Sequence, residues 1–292
     1  MGIAIALVTA LLWGCTPLWT NYSGGEPIQQ LLGTTYGALL IGILMLLIKR
    51  PIITLSGFFW CCLAGMCWSI GQLTQYEGFD SLSVSTTTPI VAGVQLVGVN
   101  LVGVIFFGSW GSTLAKIIGF SAVVLISLGV FFTTRTGNKR EPIADKVKFT
   151  RDVIKLLLGT GVGYTACSTL PKIPETNGWA TYPPSSIGML IGAVSLSLII
   201  KKYRDQHELF THGTMKNILT GINSGLGSFT YLVAIMLNGV STGFTLSQMS
   251  TVVSVLSGLL ILHEHKNHKA LIYTFLGLFL VIIGGVITGF IR

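Results

Sequence analysis

The chain has 292 residues, of which 51% are hydrophobic and only 10% are charged, whereas soluble domains average roughly 25% charged residues. This composition excludes an ordinary soluble protein. The net charge of +8 does not indicate nucleic-acid binding either, because Lys and Arg cluster in short loops, chiefly 135–155 and 201–216, as in proteins that orient themselves in a membrane by their positive loops.

Apolar segments long enough to cross a bilayer core of roughly 30 Å follow one another along the whole chain. Backbone in lipid must satisfy its hydrogen bonds internally, so each segment is predicted to be a helix. We predict an all-α membrane protein with ten transmembrane helices, at 2–20, 29–48, 56–76, 84–107, 112–133, 154–170, 184–200, 215–237, 241–262 and 270–291. The first lacks the basic start and cleavage site of a signal peptide, so we count it as a helix.

One long charged segment interrupts this series between the fifth and sixth helices. It divides the chain into a first five-helix repeat at 1–134, a charged linker at 135–153 and a second five-helix repeat at 154–292. We therefore expect two halves of equal helix number and no room for a separate extramembrane domain.

Matching motifs indicate that the two halves are internal repeats. The pattern G-x-x-x-G-A occurs at Gly33–Ala38 and again, 155 positions later, at Gly188–Ala193, and Val-Ser-Thr occurs at 84–86 and at 240–242. A duplicated half with an odd number of helices must insert in the opposite orientation. The sequence therefore predicts two inverted five-helix repeats, an arrangement that underlies many secondary transporters.

The ten Asp and Glu residues all lie outside the centres of the predicted helices. Carriers of ionic drugs or metal cations usually hold a carboxylate near the middle of the membrane. The buried polar groups here are amides, hydroxyls and indoles instead. Such groups suit a neutral sugar, whose hydroxyls need donors and acceptors and whose C–H faces lie against aromatic rings.

Neutral polar and aromatic residues follow one another on single faces of several predicted helices. On the third helix, four of them share one face at the spacing i, i+4, i+7 and i+8: Trp68, Gln72, Gln75 and Tyr76. On the fourth, Pro89 follows Thr88 and is able to break the helix. Ser241, Thr245 and Gln248 line the ninth. The predicted substrate-binding residues are Trp13, Trp68, Gln72, Gln75, Thr88, Gln95, Asn223, Tyr231 and Gln248.

Each of these residues also has a structural explanation. Buried Gln and Asn often only bridge neighbouring helices, at roughly 0.6–2 kcal/mol each, and Tyr76 fits an anchor at the membrane interface. The sequence His263-Glu264-His265 resembles a metal cluster but lies in a basic loop. Catalytic and phosphate-binding motifs are missing from the sequence, so we expect no enzyme activity, no metal and no cofactor.

The chain resembles the glucose/ribose uptake porters of the drug/metabolite transporter superfamily over essentially its full length. Four stretches carry the resemblance: WSIGQLTQ at 68–75, PIVAGVQLV at 89–97, STGFTLSQMSTVVSVLSG at 241–258 and LHEHKNHKALIY at 262–273. The resemblance implies a ten-helix, inverted-repeat carrier that imports glucose or a similar monosaccharide, commonly with a proton, in the plasma membrane of a Gram-positive bacterium. The family tends to end its ninth helix with Gly-Glu, where this chain has His263-Glu264.

The implied proton has few places to bind in this chain. Glu77, Asp80 and Glu264 lie at the ends of predicted helices and are the candidates for proton coupling. Two alternatives remain open: an uncoupled sugar facilitator, and an exporter of metabolites or drugs from the same superfamily. The expected partners are a sugar, protons and membrane lipids, without nucleic acid. The sequence leaves the oligomeric state open, and a monomer is sufficient.

Overall fold

The structure is a computed structural model of the full chain. It describes residues 2–108, 110–135, 143–176, 178–204, 208–239, 243 and 246–291. The repeated Val-Ser-Thr at 240–242 and the predicted site residue Thr245 lie outside these ranges, as do residues 136–142 of the charged linker.

The described residues form α-helices and contain no β-strand. The α-helices are α1 (Gly2–Gly14), α2 (Thr16–Ser23), α3 (Pro27–Lys49), α4 (Leu55–Leu82), α5 (Val84–Phe107), α6 (Thr113–Thr133), α7 (Ile143–Thr169), α8 (Gly178–Ile199), α9 (Lys201–Arg204), α10 (His212–Lys216), α11 (Ile218–Asn238), α12 (Met249–Leu256) and α13 (His268–Phe290). Short 3₁₀ turns occur at Leu170–Lys172 and Glu208–Phe210, and a π-helix at Ser257–Ile261 continues α12.

Eight helices within the described residues are long and apolar enough to cross a membrane, by length and composition: α1 with α2, and α3, α5, α6, α7, α8, α11 and α13. The predicted all-helical membrane protein is therefore confirmed at this level, whereas the count of ten stays a prediction. The other two predicted spans correspond to α4 and to Met249–Ile261. With 28 residues α4 is about 42 Å long, which is enough to cross a bilayer, although it is not among the eight that are also apolar enough by composition.

Local sequence signals set where several helices begin. Pro27 occupies the first turn of α3, where a capping box forms: the Glu26 side chain accepts a hydrogen bond from the backbone amide of Gln29, and the Gln29 side chain accepts one from that of Glu26. Thr54 caps α4 by accepting a hydrogen bond from the Gly57 amide at 3.0 Å. Ser112 caps α6 in the same way. Each cap satisfies a backbone N–H that the first helical turn leaves without a partner.

Several predicted helices differ in detail from the prediction. The helix α7 begins at Ile143, eleven residues before its predicted start and inside the predicted charged linker. The first predicted span breaks at Cys15, after which Pro17 lies at the start of α2, because proline tolerates the first turn of a helix but not its interior. Conversely, α5 continues through Pro89. The proline lies only one turn and a half into the helix and removes a single backbone donor, so the expected break does not occur.

The helices of the two halves pack in corresponding pairs. In one set of pairs, α4 of the first half packs against α7 and α8 of the second, and α11 of the second half packs against α1 and α3 of the first; likewise α5 contacts α7 while α12 contacts α1. Three further pairs, α3 with α8, α5 with α12 and α6 with α13, map onto themselves when the halves are exchanged. The contacts of α5 with α4, α6 and α13 have no equally extensive counterpart among the described residues. The pattern is the one that an internal repeat predicts, while the inverted orientation stays a prediction.

Glycines let α3 approach α11 closely. A Cβ added at Gly33 would overlap the Thr214 carbonyl oxygen and lie 2.5 Å from the Asn217 Cβ, and one added at Gly37 would lie 2.7 Å from the carbonyl carbon of Gly221. Small residues at such crossings bring two backbones into van der Waals contact, which is a main source of helix association in membranes.

The second copy of the motif makes the corresponding contact between α8 and α4. A Cβ added at Gly188 would overlap the Cys62 carbonyl oxygen, and one added at Gly192 would lie 2.9 Å from the Met66 Cα. The positions 62 and 66 stand 155 residues before 217 and 221. The glycines and the residues that they contact are therefore offset by the same 155 positions between the two interfaces.

Candidate functional site

Tyr164 of α7 joins two of the predicted glutamines of α4. Its hydroxyl lies 2.9 Å from Gln72 Oε1 and 2.5 Å from Gln75 Oε1. A phenol has a single hydrogen to donate, so at least one of these amides must turn its NH₂ group toward the Tyr164 oxygen. The polar face of α4 is thus directed at α7, and Tyr164, which is buried, is a member of the site that the sequence prediction missed.

The two aromatic residues of this α4 face contact the hydrophobic core. Trp68 packs between two core clusters, one formed with α3 and α8 and the other with α5 and α7. Tyr76 is fully buried, and its hydroxyl lies 2.8 Å from the Thr34 hydroxyl. The alternative that Tyr76 anchors the membrane interface is therefore wrong, because an interfacial tyrosine keeps its hydroxyl in contact with water and headgroups.

The two predicted residues of α5 differ in their surroundings. Gln95 Nε2 donates to the Ser168 hydroxyl at 3.2 Å. The Thr88 hydroxyl is buried, and no hydrogen bond reaches it from the described residues. A buried hydroxyl without a partner costs stability, and the surrounding protein closes this hydroxyl off from the cavities.

A second cluster of predicted residues lies where α1 of the first half meets α11 of the second. Trp13 Nε1 donates to the Ser224 carbonyl at 3.2 Å, and its ring centroid is 5.3 Å from that of Tyr231. Asn223 Nδ2 donates to the Leu12 carbonyl at 2.6 Å. Gly227 makes room for the indole, since a Cβ there would lie 2.5 Å from Trp13 Cδ1.

Exchanging the two halves of the chain maps one cluster onto the other. The Thr9 hydroxyl donates to the Thr230 hydroxyl at 2.9 Å, and the positions 155 farther along from Thr9 and 155 before Thr230 are Tyr164 and Gln75. Among the described residues no hydrogen bond or ring contact joins one cluster to the other. Gln248 directly precedes α12, which packs against both α1 and α5.

The predicted acidic residues gather on one side of the protein, which we call the odd-loop face because it carries the loops after the first, third, seventh and ninth predicted helices. Lys202 Nζ lies 3.3 Å from Glu26 Oε2, so two of these loops meet directly. Glu77 is held on both oxygens, by Lys155 Nζ at 2.6 Å and by the Tyr203 hydroxyl, which donates at 3.0 Å.

Two cavities open on the odd-loop face. The larger has a volume of about 400 Å³ and the smaller about 190 Å³. Asp80 lines both cavities, and no hydrogen bond or ion pair reaches its carboxylate from the part of the chain that the structure describes. The wall of the larger cavity comprises Pro17, Thr20, Asn21, Gly24, Gly25, Gln30, Phe79, Asp80, Ser83, Val84, Leu262 and Glu264.

Glu264 closes one side of the larger cavity by binding the start of α5. Its two carboxylate oxygens accept hydrogen bonds from the amides of Val84 at 2.6 Å and Ser85 at 3.0 Å. A carboxylate is favourable there because the first turn of a helix has free N–H groups and a partial positive charge. Ser83 directly precedes Val84, and His263 directly precedes Glu264. Their φ values are 77° and 52°, a region in which non-glycine residues are strained.

Lys266 lies in the loop next to Glu264, outside the helices. Its Nζ donates to the Thr274 hydroxyl at 2.9 Å. Burial lowers the pKa of Lys266 from its ordinary value of 10.5 to about 8, against the opposing effect of the Glu264 carboxylate. The loop therefore holds a lysine that loses its charge just above neutral pH.

Comparison with known proteins gives a consistent result over the whole chain. Residues 4–291 match the family described as sugar transport protein. A Listeria monocytogenes protein named for sugar uptake is 37% identical over 289 residues, which cover 99% of each chain. A Latilactobacillus sakei protein named for ribose uptake is 35% identical and spans 100% of this chain and 99% of its own. The glucose uptake protein GlcU of Bacillus subtilis is 33% identical, with 99% and 98% covered.

One solved crystal structure also aligns with the fold. It covers 100% of this chain and 99% of its own, with a TM-score of 0.61 and 12% sequence identity. At that identity the likeness concerns the arrangement of the helices alone.

Proposed function

The chain belongs to the sugar transport protein family, and from this premise we propose that it imports a neutral monosaccharide, glucose or ribose, by alternating access. The family is one of transporters, and its relatives named above come from Gram-positive bacteria, in keeping with a multi-pass membrane protein. The cell membrane of such a bacterium is its proposed location. Ten transmembrane helices in two inverted repeats are the proposed architecture, supported by the matching helix pairs and the constant offset of 155 residues.

One structural observation supports a neutral sugar as the substrate. The hydrogen-bonding groups of the two clusters inside the helical core are neutral: the phenol and amides of Tyr164, Gln72 and Gln75 in one cluster, and the indole and amide of Trp13 and Asn223 in the other. Such groups donate to and accept from hydroxyls without favouring a charged solute. The names of the relatives, which specify glucose and ribose, support the same class.

Sugar counterflow in proteoliposomes tests this proposal. Vesicles containing the purified protein and loaded with unlabelled glucose should transiently concentrate labelled glucose, and ribose should compete. A carrier with no counterflow of either sugar, but with robust exchange of another solute, would be an exporter or importer of a different class. Mannitol, which lacks the ring, serves as the negative control.

Proton coupling is a further part of the proposal. The contacts of Glu77, Glu264 and Asp80 indicate which of these three candidates binds a proton most easily. Glu77 is neutralised by Lys155, and Glu264 accepts two backbone amides, so a proton would have to displace an existing partner at either residue. Asp80 is the carboxylate whose surroundings leave it free to bind one. We therefore propose that Asp80 carries the coupled proton, with an uncoupled facilitator as the alternative.

A further inference from the structure

The larger cavity on the odd-loop face has the dimensions and the lining of a ligand site. Its volume of about 400 Å³ lies within the range of roughly 300–1,000 Å³ that small-molecule pockets occupy. It is distinct from the two clusters around Tyr164 and Trp13, none of whose predicted residues line it. Its occupant therefore has to be inferred from the residues of its own wall.

Gln30 supplies an oriented acceptor in this wall. The side chain is 94% buried, since only 6% of its surface is exposed. Its Nε2 donates to the Gly25 carbonyl at 3.1 Å, which fixes the amide and leaves Oε1 without a partner among the described residues. This oxygen is accessible to solvent, because it is not one of the fully buried side-chain atoms without a hydrogen-bond partner. Gln30 Oε1 is thus available to a hydroxyl in the cavity.

Two further residues complete a set that matches a sugar. Asn21 is exposed, and no hydrogen bond from the described residues reaches its amide, which offers both a donor and an acceptor. Phe79 lines the same cavity, and its ring is positioned by Tyr76, with centroids 6.0 Å apart. An amide pair beside an aromatic face is complementary to a pyranose, which has hydroxyls at its edge and C–H groups on its faces.

The backbone of the same wall is shaped by two glycines. Gly24 and Gly25 have φ values of 65° and 90°, a conformation that other residues adopt only with strain. A Cβ added at Gly24 would meet no other atom within 4 Å, so this glycine is required by the turn and not by packing. The turn brings Asn21 of α2 and Gln30 of α3 to the same cavity.

We infer that this cavity is a second monosaccharide-binding site, at the odd-loop mouth of the carrier, in which Gln30 and Asn21 bind hydroxyls and Phe79 contacts the sugar ring. The inference rests on the proposed function, because it takes the transported sugar as the ligand. A site at one mouth holds sugar before or after it crosses the core, so it affects transport from one side only.

Transport kinetics measured from each side of the membrane test the inference. Right-side-out and inside-out vesicles of Asn21→Ala and Phe79→Leu should show a KM for glucose raised about five- to twentyfold from the odd-loop side, with the KM from the other side unchanged. Asp145→Asn, which alters an exposed residue that lines neither cavity, should change neither value. A KM raised equally on both sides, or on neither, would overturn the inference.

Equilibrium binding separates this inference from the proposed function. Labelled glucose should bind the purified wild-type protein at two sites per chain, and Asn21→Ala should remove the weaker one. One site per chain in both proteins, together with normal counterflow, would eliminate the second site and leave the sugar carrier intact. No glucose binding and no counterflow in the wild type would eliminate the carrier itself.

Discussion

Tyr164 gives the two glutamines of α4 a fixed partner, and this contact makes the roles of Gln72 separable by experiment. If its amide also binds a sugar hydroxyl, Gln72→Ala should weaken glucose binding about ten- to a hundredfold, or roughly 1–3 kcal/mol. Thermal stability and the dissociation constant should be measured together, because a residue that only bridges α4 and α7 would lower the melting temperature and leave affinity unchanged. Asn100→Ala is a matched control, since its amide bonds only to its own helix.

The sequence predicted the glutamines of this site but not their partner. Spacing along α4 places Gln72 and Gln75 on one face, since that follows from 3.6 residues per turn. Which neighbouring helix that face meets depends on long-range packing, which spacing does not encode. Tyr164 therefore had no signal in the sequence beyond being an aromatic residue in an apolar helix, and the cavity beside Gln30 had none at all.

Lys266 predicts a pH dependence at a single side chain. Its pKa of about 8 is below the ordinary 10.5, so between these values the unfolded chain binds more protons than the folded one, and stability rises with pH. The melting temperature of the wild type should rise from pH 8 to pH 10 relative to that of Lys266→Met. A constant difference between the two proteins across that range would contradict the lowered pKa.

At the scale of helices, the glycine crossings are the most sensitive contacts. Gly33→Ala would place a methyl group against the Thr214 carbonyl, and Gly188→Ala would place one against that of Cys62. Each should destabilise the protein by about 1–3 kcal/mol through overpacking, measured as a lower melting temperature in detergent. Gly111→Ala is the control, because a Cβ there would meet no other atom within 4 Å. Equal melting temperatures for all three would argue against these close approaches.

Glu264 connects an element of one half to an element of the other. Glu264→Gln leaves one acceptor oxygen for the two amides that begin α5, so we expect a loss of about 1–2 kcal/mol in stability. Uphill sugar accumulation should persist, as the structural role requires. A variant of normal stability that exchanges sugar but no longer accumulates it would instead make Glu264 the proton carrier.

Helix positions were largely predictable because an apolar run of about 20 residues has few alternatives in a membrane. The exceptions follow from local chemistry. The break at Cys15 depends on where Pro17 falls relative to a helix start, and the π-helix at Ser257–Ile261 depends on contacts from other helices. Neither is visible in hydropathy, which records how apolar a segment is and not how its backbone is hydrogen-bonded.

At the scale of the whole molecule, our proposal makes Asp80 the residue through which a proton drives transport. Asp80→Asn should abolish accumulation of glucose against its gradient and spare counterflow, since exchange of sugar for sugar needs no net proton movement. In the wild type, uptake should accelerate at acidic external pH and collapse when an uncoupler is added. Accumulation that continues in the presence of the uncoupler would rule out a proton drive and favour another energy source.

The α3–α11 and α4–α8 interfaces are equivalent. In the proposed carrier, this equivalence affects how often the empty protein is open to each side of the membrane. In a homodimer, one substitution alters both copies of an interface together, but here each copy is encoded separately. A change in one copy alone makes the halves unequal, and the inverted repeat that we propose would convert that inequality into a preference for one open mouth. Mutation and selection can therefore adjust which side an empty carrier faces by altering helix contacts, without touching the residues that bind sugar or protons.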